Sequence, residues 1–234
     1  MTTSQVTTSQ VTTKPTSRRE WLVPAGLLLL AIIPALGGAV RVSELAADPA
    51  LTPENARFVT QPIPVLVHIV CVTVYSMLGA FQFVPSLRRR SWHRLAGRVL
   101  FPAGLGTALT GLWMTAFYDL PAKDTVVVNG VRYVVGVVMV AALVLGVRAA
   151  LRRDFVAHRA WMVRAYALAM GAGTQALLLG PYVVVAGTPD LVTNTVLMTA
   201  AWVINAAFAE WVIRRRRMTG RMTGRASGRA SGRV

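Results

Sequence analysis

The sequence predicts an all-α fold, a six-helix transmembrane bundle with N-in/C-in topology and disordered tails. Three observations lead there. Six predominantly apolar runs of about 20 residues, the length that crosses the hydrocarbon core of a bilayer, follow one another along the chain. Only 15% of the 234 residues are charged and 54% are hydrophobic, where a soluble domain carries about 25% charged residues. The basic residues are also sorted. Of 25 Lys and Arg, only Arg41, Arg57, Lys123 and Arg132 fall in one alternate set of the segments between the runs. Glu44, Asp48, Glu54, Asp119, Asp124 and Asp190 share that poorly basic side. Lys and Arg beside short loops are retained in the cytoplasm during insertion, so the rich side is expected inside.

Residues 1–20 open with the repeat TTSQV and are Thr/Ser/Gln-rich, which predicts a disordered tail and argues against a cleavable signal peptide. The transmembrane domain is expected over residues 21–214. Its first span is placed at Trp21–Val42, with Pro24 and Pro34 inside it, the second at Ile63–Val84 and the third at Leu95–Phe117, with Pro102. Such prolines are tolerated in spans and kink them. The remaining spans are placed at Val131–Leu151, Trp161–Val185 and Leu191–Ile213. External loops are then Ser43–Pro62, Tyr118–Gly130 and Ala186–Asp190, and internal loops Pro85–Arg94 and Arg152–Ala160. No span carries the Gly/Pro-interrupted midplane pattern of many secondary transporters. All the tryptophans but Trp202 sit near a span end, where interfacial anchors belong. Residues 215–234 repeat RMTG and then RASG. That basic tail is expected to be disordered and to lie near anionic lipid head groups.

A net charge of +16 would suggest nucleic acid in a soluble protein. Here most basic residues flank spans, so retention and anionic head groups account for them and no nucleic-acid partner is expected. The single cysteine, Cys71, excludes an intramolecular disulfide and a cysteine-built zinc or iron–sulfur site within one chain. Hydrolase and kinase chemistry lack support: there is no G-x-S-x-G, phosphate-binding glycine loop or H-E-x-x-H.

Both internal loops open with Leu-Arg-Arg and close with His-Arg: LRRRSWHR at Leu87–Arg94 and LRRDFVAHR at Leu151–Arg159. A parallel duplication about the membrane normal would bring His93 and His158 to equivalent places; convergence on basic loops is the plainer alternative. His68 lies in the external half of span two. On that span His68, Cys71, Tyr75, Gly79 and Gln82 fall on one stripe at 100° per residue, which is expected to face the bundle interior. It serves either as a proton or electron path or as helix-packing surface. At the cytoplasmic ends gather Gln82, Arg88, His93, Arg94, Arg98, His158, Arg159, Arg164 and Glu210. Arg164 lies within the bilayer and needs a partner, with Glu210 the one carboxylate at comparable depth; Glu210 has Arg214 as its alternative.

Three stretches, His68 followed by GAFQFVPSLRRR (Gly79–Arg90), WHRLAGRVLF (Trp92–Phe101) and HRAWMVRAYAL (His158–Leu168), resemble the bacterial family of predicted membrane proteins called domain of unknown function 2306. The resemblance covers roughly Pro62 to Val185. It implies a multi-pass protein of the bacterial cytoplasmic membrane whose characteristic positions include His68, Arg88, His93, Arg94, Gly97, Arg98, His158, Arg159, Trp161, Met162, Arg164 and Tyr166. Ala165 departs from the family, which more usually has Ser there. No reaction comes with the resemblance.

Three functions remain open on the residues. In a transmembrane redox protein, His93 and His158 would ligate one b-type haem, with Arg94, Arg98, Arg159 and Arg164 on its propionates. It would look broadly similar to diheme cytochrome b membrane reductases, but three histidines cannot supply two bis-histidine haems. His68, the outer candidate, would need Met114, Met139 or Met198 as partner, and the equivalent place on span four lies near Tyr133. A transporter or lipid-head-group binder would use the same arginines with the histidines as protonation switches. An accessory membrane subunit would need no chemistry.

Overall fold

The computed structural model describes residues 18–88 and 91–231. Among them the elements are helices: α1 (Leu22–Ala46), α2 (Ala56–Thr60), α3 (Pro62–Ala80), α4 (Pro85–Arg88), α5 (Ser91–Phe117), α6 (Val126–Leu151), α7 (Phe155–Ala169), α8 (Gly171–Ala186) and α9 (Leu191–Ser231), with short 3-10 turns at Arg18–Trp21 and Phe81–Phe83. Six stretches are long and apolar enough to cross a membrane, and they follow the six apolar runs in order: α1, α3 with its 3-10 turn, α5, α6, α7 with α8, and the first part of α9. The expected N-terminal tail lies outside the described residues up to position 17.

Apolar side chains cover the outside of the bundle. Leu29, Leu36, Ile63, Val134, Val184 and Phe208 are exposed, and α1 buries only Pro24 and Ala31. Water would penalise such a surface, whereas lipid tails do not. Inside, the close contacts are made by small residues. A Cβ on Gly104 would stand 2.7 Å from the Tyr75 ring, and one on Gly136 2.6 Å from Leu112. Backbones approach this closely where packing, not solvent exclusion, holds spans together.

Four expectations are corrected. The helices overrun their apolar runs into segments expected as loop: α5 starts at Ser91 and α7 at Phe155. Polar residues at the membrane face complete these helix starts, since Asp154 caps α7 by accepting from the Ala157 N–H at 2.9 Å. The loop Ser43–Pro62 contains α2, positioned by Asn55, whose Oδ1 accepts from the Thr52 N–H and whose Nδ2 donates to the Ala50 carbonyl. The last helix runs on to Ser231, beyond residue 215 where a disordered tail is expected. A span that has already nucleated a helix can propagate it at small cost per residue, here against the poor helix formers Gly220, Gly224 and Gly228.

Span five, expected as one continuous helix, is interrupted at Met170 between α7 and α8. Two glycines follow the interruption. A Cβ on Gly171 would collide with the Trp202 indole, and one on Gly173 with the Leu30 backbone. Asn205 of α9 bridges the break. Its Nδ2 donates to the Ala167 carbonyl at 3.0 Å, the acceptor that a continuous helix would use for Gly171, and its Oδ1 accepts from Thr174. A neighbouring helix thus satisfies backbone at the interruption, as the absence of water requires.

Candidate functional site

The arginine-rich end of the bundle brings His93 and His158 together. Each sits in the first turn of its helix, α5 and α7, and the two rings lie 6.4 Å apart between centroids with planes at 88°. The turn from α6 to α7 aims His158. Arg153 adopts φ +62°, Asp154 caps α7, and His158 reaches back so that its Nδ1 lies 2.9 Å from the Gly146 carbonyl of α6. A carbonyl can only accept, so Nδ1 carries the proton and a neutral His158 keeps its Nε2 lone pair. Gly146 lets α7 come this close: a Cβ there would stand 3.3 Å from the Trp161 Cβ and would overlap the end of Met162.

Around the pair, Arg94 and Arg98 are exposed and Arg159 is half-buried. Arg164 is held elsewhere. Its guanidinium grips Glu210 of α9 with two hydrogen bonds, Nη2 to Oε2 measuring 3.0 Å, and lies 4.7 Å over the Trp161 ring. The expected interhelical pair therefore forms, and Arg164 is the least available of the candidate arginines. The side chain of Arg88 is outside the description. An aromatic layer marks this end, with Phe81 in edge contact with both Trp21 and Trp92.

Span two presents its stripe inward, as expected. Tyr75 and Gly79 are buried. Tyr75 packs on Gly104, Cys71 on Gly106 and His68 beside Gly111, while Gly79 receives the ring of Tyr166. Tyr166 donates its hydroxyl to the Ser76 carbonyl, and its ring lies 5.7 Å from Tyr75 and 5.0 Å from Phe83. Most of the stripe is packing surface. Ala165 is fully buried.

His68 belongs to a separate place. It lines a cavity of about 330 Å³ in the other half of the bundle, with Met114 and Met139, Gln175 and Trp202 also on its walls. Tyr133 and Met198 are not among the lining residues. The cavity reaches the loop end, where Asp124 pairs with Arg132 at 2.9 Å. Beside them Arg57 and Arg41 stack on Phe58, 4.4 Å and 4.3 Å from its centroid, and Tyr118 donates to the Gln61 carbonyl at 2.7 Å. Burial lowers Arg57 from the ordinary guanidinium range, Asp124 opposing and Arg41 and Arg132 reinforcing it. Burial also raises the Tyr118 phenol. His68 and the His93–His158 pair are thus not one site, and the cavity left no motif in the sequence.

Six apolar spans with ionisable groups collected at two levels define a multi-pass integral membrane protein. The chain belongs to the family described as Predicted membrane protein (DUF2306), whose model matches residues 65–213. That match extends the resemblance through the last span. Neither curated proteins nor solved structures gave a significant match.

Proposed function

We propose that this protein is a transmembrane redox protein holding one b-type haem at its arginine-rich end, with His93 and His158 as axial ligands. The spacing of those two rings carries the reading. Two imidazoles about 2.0 Å from one metal ion have ring centres roughly 6 Å apart, close to the 6.4 Å found here. A plane angle of 88° is compatible with both rings offering a nitrogen to one iron. The Gly146 carbonyl fixes the His158 tautomer that ligation needs. Two side chains alone do not complete a metal centre, and among the described residues no group of three His, Cys, Asp or Glu is placed to hold a metal ion. A haem brings its own four equatorial nitrogens, so a two-histidine donor set fits it.

Bound there, the haem would supply one-electron chemistry. The chain orients His158 through Gly146 and offers forked donors to propionates from Arg94, Arg98 and Arg159. The charge sorting supports an N-in/C-in orientation in a bacterial cytoplasmic membrane, with this end inside. Exposed Arg94 and Arg98 also suit anionic head groups, and they favour a second reading as a lipid-head-group binder or transporter with the histidines as protonation switches.

Absorbance of the protein purified in mild detergent, after expression with ample haem, separates the two. The redox reading expects a Soret band that shifts on dithionite reduction, is lost in His93→Ala and in His158→Ala, and survives in His68→Ala. A colourless preparation that retains anionic phospholipid would overturn it in favour of the second.

A further inference from the structure

The cavity beside His68 is a built space with a consistent polarity. Its walls are mainly apolar and aromatic, including Leu112, Met139, Leu168 and Trp202, as in sites for small organic ligands. Its inner side is made by the interrupted stretch of span five, where Leu168 and Ala169 precede Met170 and Ala172 and Gln175 follow it. Helices broken within a membrane commonly border a binding site, because irregular backbone is tolerated where it lines a cavity.

The hydrogen bonds already made around the cavity define what such a ligand brings. Thr110 donates its single hydroxyl hydrogen to a backbone carbonyl, Gly106 being the nearer acceptor. Its oxygen is also 2.9 Å from His68 Nδ1; with the Thr110 hydrogen on the carbonyl, that oxygen accepts from Nδ1, and His68 is the Nδ1–H tautomer. The remaining nitrogen of a neutral His68, Nε2, is then an acceptor. Thr107 likewise donates to the Ala103 carbonyl at 2.9 Å, leaving an oxygen that accepts. The deep end of the cavity therefore asks for an O–H donor. The loop end offers the opposite: the guanidinium groups of Arg57 and Arg132, with one carboxylate, Asp124, between two cations.

We propose that this cavity binds a hydroxylated aromatic molecule of the quinol class, one hydroxyl donating to His68 Nε2 and a second oxygen facing Arg57 and Arg132. The site stands on its own residues and does not depend on a haem at His93 and His158.

Quenching of tryptophan fluorescence by menadiol under anaerobic conditions, with the full-length protein in nanodiscs, tests it. Trp202 lines the cavity, so quenching is expected to saturate and to diminish in Trp202→Phe. Menadione, which has the same ring system but no donor, is expected to bind roughly tenfold more weakly, as is menadiol to His68→Ala, each losing one hydrogen bond. Ala172→Phe fills the space without touching His68 and is expected to abolish saturation; it decides the matter should His68→Ala fail to fold. His93→Ala is expected to leave menadiol binding unchanged, which separates this outcome from that of the haem reading. Linear, non-saturating quenching would overturn the proposal, as would equal affinity for menadiol and menadione. So would two haems per chain with one lost in His68→Ala, which would put a macrocycle in the cavity.

Discussion

Gly146 serves the histidine pair twice, by offering its carbonyl to His158 and by leaving room for Met162 and Trp161. In Gly146→Ala the added methyl group displaces the end of Met162 and crowds the Trp161 Cβ, 3.3 Å away. The expected loss is about 1–3 kcal/mol of stability, the usual range for overpacking, read as a fall in the thermal midpoint in detergent together with weaker haem retention. A midpoint and haem content like those of the wild type would remove Gly146 from the site. Glu210 makes a different prediction. In Glu210→Gln the Arg164 guanidinium loses its counter-charge inside the membrane, so the midpoint should fall well below that of Glu54→Gln, whose position is an exposed loop. Equal midpoints would show that the pair contributes nothing. Arg164, Glu210 and the histidines were legible as residues, because an ionisable group in an apolar run declares itself. The Gly146 carbonyl was not, since every residue has one and only the turn at Arg153 and Asp154 selects it.

Span five shows what an apolar run conceals. Hydropathy reads Phe155–Ala186 as one span, yet the helix stops and restarts at Met170. The cause lies in other elements: Trp202 of α9 presses on Gly171, Leu30 of α1 on Gly173, and Asn205 bonds across the break. Replacing Asn205 by Leu removes both bonds. Polar contacts between spans average about 0.6 kcal/mol each, so a loss of roughly 1 kcal/mol is expected, with faster hydrogen exchange at Gly171 and Ala172. Unchanged exchange there would deny Asn205 its bridging part. The helix starts were hidden for a related reason. Ser91 to Arg94 and the stretch from Arg152 read as loop, but at a membrane face Asp154 caps α7, α5 begins at Ser91, and both histidines ride on those first turns.

At the scale of the molecule, the alternation of apolar runs and sorted charge made the six-span bundle legible in advance. Charge sorting also predicts that a cytoplasm-dependent reporter fused after Arg216 is active and that a periplasm-dependent reporter inserted in residues 121–125 is active; the reverse pattern would invert the molecule. The same topology separates His68, in the outer half of span two, from His93 and His158 at the arginine-rich end, and the fold keeps that division. Less legible was the cavity beside His68, with Asp124 and Arg132 on its walls. No periodicity within a helix encodes it, because it depends on which spans are neighbours.

Low-temperature electron paramagnetic resonance of the oxidised, haem-supplied protein tests the histidine pair most directly. Two imidazoles on one iron with their planes crossed at 88° predict a strongly anisotropic low-spin ferric signal that disappears in His93→Ala and in His158→Ala. A high-spin signal in the wild type, a low-spin signal indifferent to those substitutions, or no haem iron at all would contradict it.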